Sequence, residues 1–157
     1  MSRLLLCVLV ALAVVGGAFC GEHGEAHGFN DAIDWWNDLD AAIEEIKSTK
    51  KPGLVIIHKS WCGACKNLKR AVDGPQGDVI VKASSDYVMI NLADNAEPSN
   101  PEFSTDGKYI PRLYFIDTQG KVRTDLTAPG GNEKYKYYYS SPGQIERAMK
   151  QYLTKLV

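Results

Sequence analysis

Two cysteines separated by two small residues stand in the stretch HKSWCGACKNLKR, residues 58–70. At that spacing Cys62 and Cys65 admit three chemistries: half of a metal clamp, a structural staple, or a dithiol that opens and closes during catalysis. A staple here closes almost no loop, so it takes little entropy from the unfolded chain and adds little stability. A clamp needs two further ligands, and the sequence holds only His23, His27 and His58 with no second cysteine pair. His23 and His27 have zinc-compatible spacing but lie far along the chain, in the Gly-rich segment GEHGEAHGFN (21–30). No metal site is expected at the pair. A chain cut after Cys20 would present the amine of Gly21 with His23 in third place, a ligand pattern for Cu(II) or Ni(II) that competes with a plain solvated tail.

The dithiol reading has a physical basis in what flanks the pair. LVIIH (54–58) is a short apolar, β-branched run that reads as a strand buried on both faces, and a helix is expected to open at Cys62 and run through KNLKRAV. A sulfur at such a junction faces unsatisfied N–H groups and the positive end of the helix dipole. That favours thiolate over thiol and lowers the pKa from about 8.5 toward 7 or below. Cys62 is therefore expected to attack a substrate disulfide. Cys65, one turn later and deeper, resolves the mixed disulfide. Gly63 and Ala64 are small and uncharged and leave the approach open. Trp61 is read as a site residue shielding the sulfur from water, whereas Lys59, Lys66, Lys69 and Arg70 read as a solvated basic face.

The remaining elements must hold this junction in place. Ile33, Trp36, Leu39, Ile43 and Ile46 recur at helical spacing, and the pattern stops at Lys51-Pro52-Gly53. YVMINL (87–92) reads as a second buried strand, with the stretch after GPQG (74–77) open to either assignment. DNAEPSNPEFSTDGK (94–108) reads as a polar loop. RLYFID (112–117) reads as a third strand, with KVRTDL (121–126) its expected hairpin partner. Ser141-Pro142-Gly143-Gln144 has the form of a capping box, and Ile145, Ala148, Met149, Tyr152, Leu153 and Leu156 make an apolar helical stripe. Helices and strands in this order predict an α/β domain, a mixed sheet covered by helices.

Composition agrees with one domain. The 157 residues are 45% hydrophobic and 24% charged, with a formal charge of −1. No basic stripe calls for nucleic acid. Residues 1–20, with Arg3 ahead of the apolar run LLLCVLVALAVV (4–15) and GGAFC after it, read as a cleaved secretory signal. Cleavage removes Arg3, which makes the charge −2, and removes Cys7 and Cys20, which leaves Cys62 and Cys65 as the whole cysteine complement. No membrane contact is expected after that step. The expected organisation is a signal at 1–20, a flexible segment at 21–30 and a folded domain at 31–157.

WCGAC after a β-run, with Ile110-Pro111 just ahead of RLYF, resembles the thioredoxin superfamily over most of residues 35–156. LVIIHKSWCGACKNLK, FSTDGKYIPRLYFID and YKYYY (135–139) are similar to the small endoplasmic-reticulum thioredoxins related to the anterior-gradient proteins. The resemblance implies a thioredoxin-like fold, a central mixed β-sheet flanked by helices. It implies a cis Pro111 lying against the cysteine pair and an Ile110 backbone that pairs with an extended substrate, so Trp61, Gly63, Ala64, Ile110 and Pro111 become substrate-binding candidates beside catalytic Cys62 and Cys65. Main-chain pairing of that kind tolerates many client sequences. The implied activity is protein-disulfide oxidation, reduction or isomerisation without a cofactor, with glutathione as redox co-substrate and cysteine-containing secretory proteins as clients. Its direction depends on a reduction potential that ranges from about −270 to −120 mV among proteins of this chemistry.

Two features depart from the pattern. Many relatives carry a buried acid six positions before the first cysteine, where this chain has Ile56, leaving water, His58 or another group to take the proton of Cys65. His58 itself reads first as a packed or hydrogen-bonded scaffold residue. Members of the group usually end in a KDEL-like signal, whereas this sequence ends YLTKLV, so both the endoplasmic-reticulum lumen and secretion are expected destinations. The alternative function is a client-binding, chaperone-like module of anterior-gradient type with little redox turnover.

Overall fold

Alternate side chains of the central strand β2 (Gly53–His58) enter two different cores, and this sets the layering of the protein. The computed structural model describes residues 24–157. The expected signal at 1–20 and the amine site at Gly21 and His23 lie outside the described residues. Leu54 and Ile56 of β2 join one apolar cluster, Val55 and Ile57 the other, each at 2% exposure or less. Flanking it are β3 (Val88–Ala93), parallel, and β4 (Arg112–Ile116), antiparallel, so the sheet is mixed as expected.

Helices α2 (Gly63–Asp73), α3 (Asp78–Ser84) and α4 (Pro142–Leu156) cover the Leu54–Ile56 face through Leu68, Val72, Ile80, Ile145, Ala148 and Met149. Helix α1 (Leu39–Thr49) covers the opposite face through Ala42 and Ile46. Each of these larger side chains contributes roughly 1.5–3 kcal/mol on leaving water. The α4 stripe lies where its spacing placed it. Its cap differs in one bond: Ser141 Oγ accepts the Gln144 N–H at 3.3 Å, but the Gln144 side chain reaches back to the Ser140 N–H at 2.8 Å, one residue upstream of a regular capping box. No helix among the described residues is long and apolar enough to cross a membrane.

Three expectations change. The helical pattern drawn from Ile33 is broken: Trp35–Trp36 form a short strand β1, parallel to β3, and the helix starts only after Asp38, whose carboxylate caps the Ala41 N–H at 2.9 Å. The sheet order is therefore β1-β3-β2-β4. KVRTDL does not form a paired strand; one bridge joins Val122 to Ile116, and the chain then turns away. The polar loop at 94–108 contains two 3₁₀ turns, Asp94–Ala96 and Pro101–Ser104, the second burying Phe103 at 1% exposure.

The core also draws on residues ahead of position 31. Phe29 is 2% exposed and meets the His58 ring edge-on at 5.2 Å. Asn91 of β3 donates through Nδ2 to the Ala26 carbonyl at 2.6 Å, which turns its Oδ1 toward His58 Nε2. His58 is 1% exposed and its Nδ1 has no partner. Protonation would put an unpaired charge into this apolar corner. Burial therefore lowers the His58 pKa to about 4; the Asn91 bond and Asp94 oppose that fall, and nearby Lys69 and His27 assist it. Neutral His58 is thus part of the scaffold. An unfolded histidine takes up its proton near pH 6.5, so the unfolded chain gains stability relative to the folded one as pH falls from that value toward 4. Between pH 7 and pH 5 this site is expected to lower folding stability by about 2 kcal/mol. Urea unfolding at the two pH values checks it: His58→Gln should flatten the difference, and an unchanged difference contradicts the assignment.

Candidate active site

Strand β2 ends at His58, and Lys59-Ser60-Trp61 carry the chain over the sheet edge into α2. Cys62 is the N-cap of that helix, with extended backbone angles of φ −77° and ψ 123°. In the place where a serine or aspartate oxygen usually sits, its sulfur accepts the Cys65 N–H at 3.1 Å. The Cys62 carbonyl meanwhile accepts the Lys66 N–H at 3.0 Å and starts the helical ladder. No acidic side chain lies in the first turn to oppose a negative sulfur. On reduction the same amide and the helix dipole favour thiolate at Cys62.

The pair is joined in a disulfide in this structure. Cys62 retains 7% exposure, whereas Cys65 is fully buried. Of the two, Cys62 alone has surface left in contact with solvent. Gly63 is exposed, and a methyl group added to it would meet nothing within 4 Å, so this side of the approach is open. Ala64 is half-buried. Trp61 is 72% exposed, so it is not a core residue but a ring at the surface directly before the cysteine.

Opposite the pair lies the Ile110-Pro111 peptide, which is cis. Pro111 is buried and Ile110 half-buried, and the Ile110 carbonyl oxygen is 3.8 Å from Cys62 Sγ. The antiparallel register pairs Ile57 with Arg112, so the end of β2 and the start of β4 share one sheet edge. That register brings residues about fifty positions apart into one surface: Trp61, Cys62 and Gly63 on one side, Ile110 and Pro111 on the other.

Ile56, in the place of the acid that many relatives bury, is 2% exposed and packed in the same apolar cluster as Leu68 and Leu113. Ile56 therefore offers no group that could take a proton. Lys69 lies with its Nζ 5.7 Å from the Phe29 ring centre, and burial lowers its ammonium pKa, Asp94 opposing and Lys66 assisting. Among the described residues no group of three or more His, Cys, Asp or Glu side chains is placed to hold a metal ion.

Sequence reasoning missed a set of charged residues behind this surface. Arg112 is 1% exposed, and its Nε donates to the Phe103 carbonyl at 3.0 Å while Nη1 donates to the Tyr109 carbonyl. Its Nη2 pairs with Glu97, whose other oxygen is 2.8 Å from Lys59 Nζ. Asp94 accepts the Ser60 N–H at 2.8 Å, and this bond, the largest cause, holds its carboxyl below the usual range. The only sign of these contacts in the sequence is an arginine opening an otherwise apolar strand.

A family model described as thioredoxin-like matches residues 34–118. Anterior gradient protein 3 of Xenopus tropicalis is 32% identical over 112 residues, which is 71% of this chain and 66% of that protein's length. The anterior gradient protein 2 homolog of Homo sapiens is 28% identical over 131 residues, 83% of this chain and 73% of the relative. Among solved structures, human ERp44 in a zinc-bound form superposes with a TM-score of 0.50 at 17% identity, over 76% of this chain and 31% of that one, a likeness of fold alone. With the matching model covering more than half of its 157 residues, the chain belongs to the thioredoxin-like family.

Proposed function

We propose that the protein is a thiol–disulfide oxidoreductase of the secretory pathway that forms, reduces or isomerises disulfides in cysteine-containing clients. The observation that carries this reading is the position of Cys62 as the helix N-cap, its sulfur accepting the Cys65 N–H at 3.1 Å with Cys65 buried behind it. In the reducing direction the Cys62 thiolate attacks one sulfur of a client disulfide. A mixed disulfide forms and the second client sulfur leaves as thiolate. Cys65 then attacks Cys62 Sγ, giving the Cys62–Cys65 disulfide and releasing the first client sulfur. With Ile56 rather than an acid six positions before Cys62, the Cys65 proton passes to a departing client thiolate or to water. Two electrons move to the client, and two glutathione molecules, oxidised to one glutathione disulfide, restore the dithiol. Oxidation of a client dithiol is the same sequence reversed. A difference of about 30 mV between the couple and its surroundings changes the equilibrium tenfold.

Trp61, Gly63, Ala64, Ile110 and Pro111 form the client-docking surface in this reading. The nearness of the Ile110 carbonyl to Cys62 supports an extended client segment pairing there with the main chain. A second reading, client holding with little redox turnover, draws on the exposure of Trp61, an aromatic side chain free to cover apolar client surface.

The two readings separate on substitution. Reduction of a disulfide-bridged peptide by glutathione should fall at least ~100-fold in Cys62→Ser, because the attacking atom is gone. Client holding that survives this substitution while the unaltered protein shows no turnover would favour the second reading. Cys65→Ala should leave covalent Cys62–client adducts visible on non-reducing gels. Cells expressing that variant without such adducts would contradict the assigned order of attack.

A further inference from the structure

Three chain segments leave the sheet at one edge: Lys59–Trp61 after β2, Asp94–Glu97 after β3, and Tyr109–Pro111 ahead of β4. The first leads directly into the attacking cysteine, Cys62, and the last carries the peptide facing it. The middle segment carries Glu97, whose two carboxylate oxygens are divided: one lies 2.8 Å from Lys59 Nζ in the first segment, the other pairs with Nη2 of Arg112, the residue that follows the third.

The Arg112 end of this bridge is rigid. Its side chain is 1% exposed, and the guanidinium also donates to the carbonyls of Phe103 and Tyr109, the latter adjacent to Ile110. A planar guanidinium with three fixed acceptors cannot slide without losing one of them. The Lys59 end is half-sheltered and is fixed a second time, since Nζ also donates to the Asp94 carbonyl. Burial by itself would raise the Glu97 carboxyl, but the hydrogen bonds from Lys59 and Arg112 outweigh it and hold the group below its ordinary range, so Glu97 is ionised at neutral pH.

Resting on the oxidoreductase reading, we propose that Glu97 is a positioning residue for disulfide exchange: through Lys59 and Arg112 it sets the register between Cys62 Sγ and the Ile110 main chain on which a client lies. The bridge touches neither sulfur nor client. Its loss should let the 109–111 peptide and the 59–61 segment drift relative to each other, which harms a substrate that must dock on one and react at the other. A small reagent that needs only the sulfur should not notice.

Glu97→Gln keeps the shape and removes the charge. With a ten-residue peptide bridged by one disulfide, this variant of the full chain should show KM raised about tenfold and kcat within about threefold, the effect expected of a displacement on the ångström scale. Alkylation of reduced Cys62 by iodoacetamide at about pH 9, where the sulfur is thiolate in either protein, should stay within about twofold. Lys59→Met, which leaves the Arg112–Glu97 pair intact, should raise KM in the same sense by a smaller factor, and it carries the test if Glu97→Gln does not fold. An unmoved KM in the folded variant overturns the proposal, as does an alkylation rate that falls in parallel with turnover. Absence of peptide turnover by the unaltered protein removes the oxidoreductase reading and this inference with it. Turnover by the unaltered protein with KM unmoved in the variants removes the bridge alone.

Discussion

One backbone amide, that of Cys65, points at the sulfur of Cys62, and most of the surrounding architecture serves to keep it there. An amide can face that sulfur only if the helix begins at residue 62. Strand β2 must therefore end at His58, and three residues must carry the chain off the sheet before the first helical turn. Burial of β2 on both faces sets its end point, because moving the strand by one residue would exchange the two core faces. Packing of Leu68 and Val72 against the sheet then orients the helix, so that its N-terminus opens at the rim and Cys65 faces inward. The chemistry of one sulfur is thus a consequence of how two hydrophobic layers meet.

The polar groups around this edge divide into two kinds. His58 and Asn91 tie the segment at Ala26 to the sheet, and the histidine stays neutral because nothing is available to pair with a proton on its inner nitrogen. Glu97 pairs with both Lys59 and Arg112, and the three join segments from three strand ends. A buried guanidinium is costly unless its donors are satisfied, and here two carbonyls and a carboxylate receive it. Ile56 belongs to the apolar cluster on the α2 face of the sheet, in a place where a carboxylate would have to be desolvated.

Much of this was legible in the sequence, for reasons that can be named. The three main strands stand out as short β-branched runs, and α4 as a capped apolar stripe, because local pattern and final burial agree there. The cysteine spacing and the Ile110-Pro111 pair singled out two segments far apart in the chain that the structure brings to within 3.8 Å of each other. Trp35–Trp36 did not stand out: spacing from Ile33 onward mimics a helix, and pairing with Met89 and Ile90, more than fifty residues away, decides otherwise. Val122 makes its one bridge to Ile116, and the hairpin ends because the chain turns off to cover the core with Leu126 and Ala128. Glu97 looked like one charge in a polar loop. Its role depends on where three strand ends converge, which no local pattern encodes.

The acidity of Cys62 is the most direct test, read from the rate of its alkylation by iodoacetamide in the reduced protein between about pH 5 and pH 9. An amide and a helix N-terminus converging on the sulfur predict a half-maximal rate at or below about pH 7. A half-maximal rate near 8.5, the value of an ordinary thiol, would contradict it.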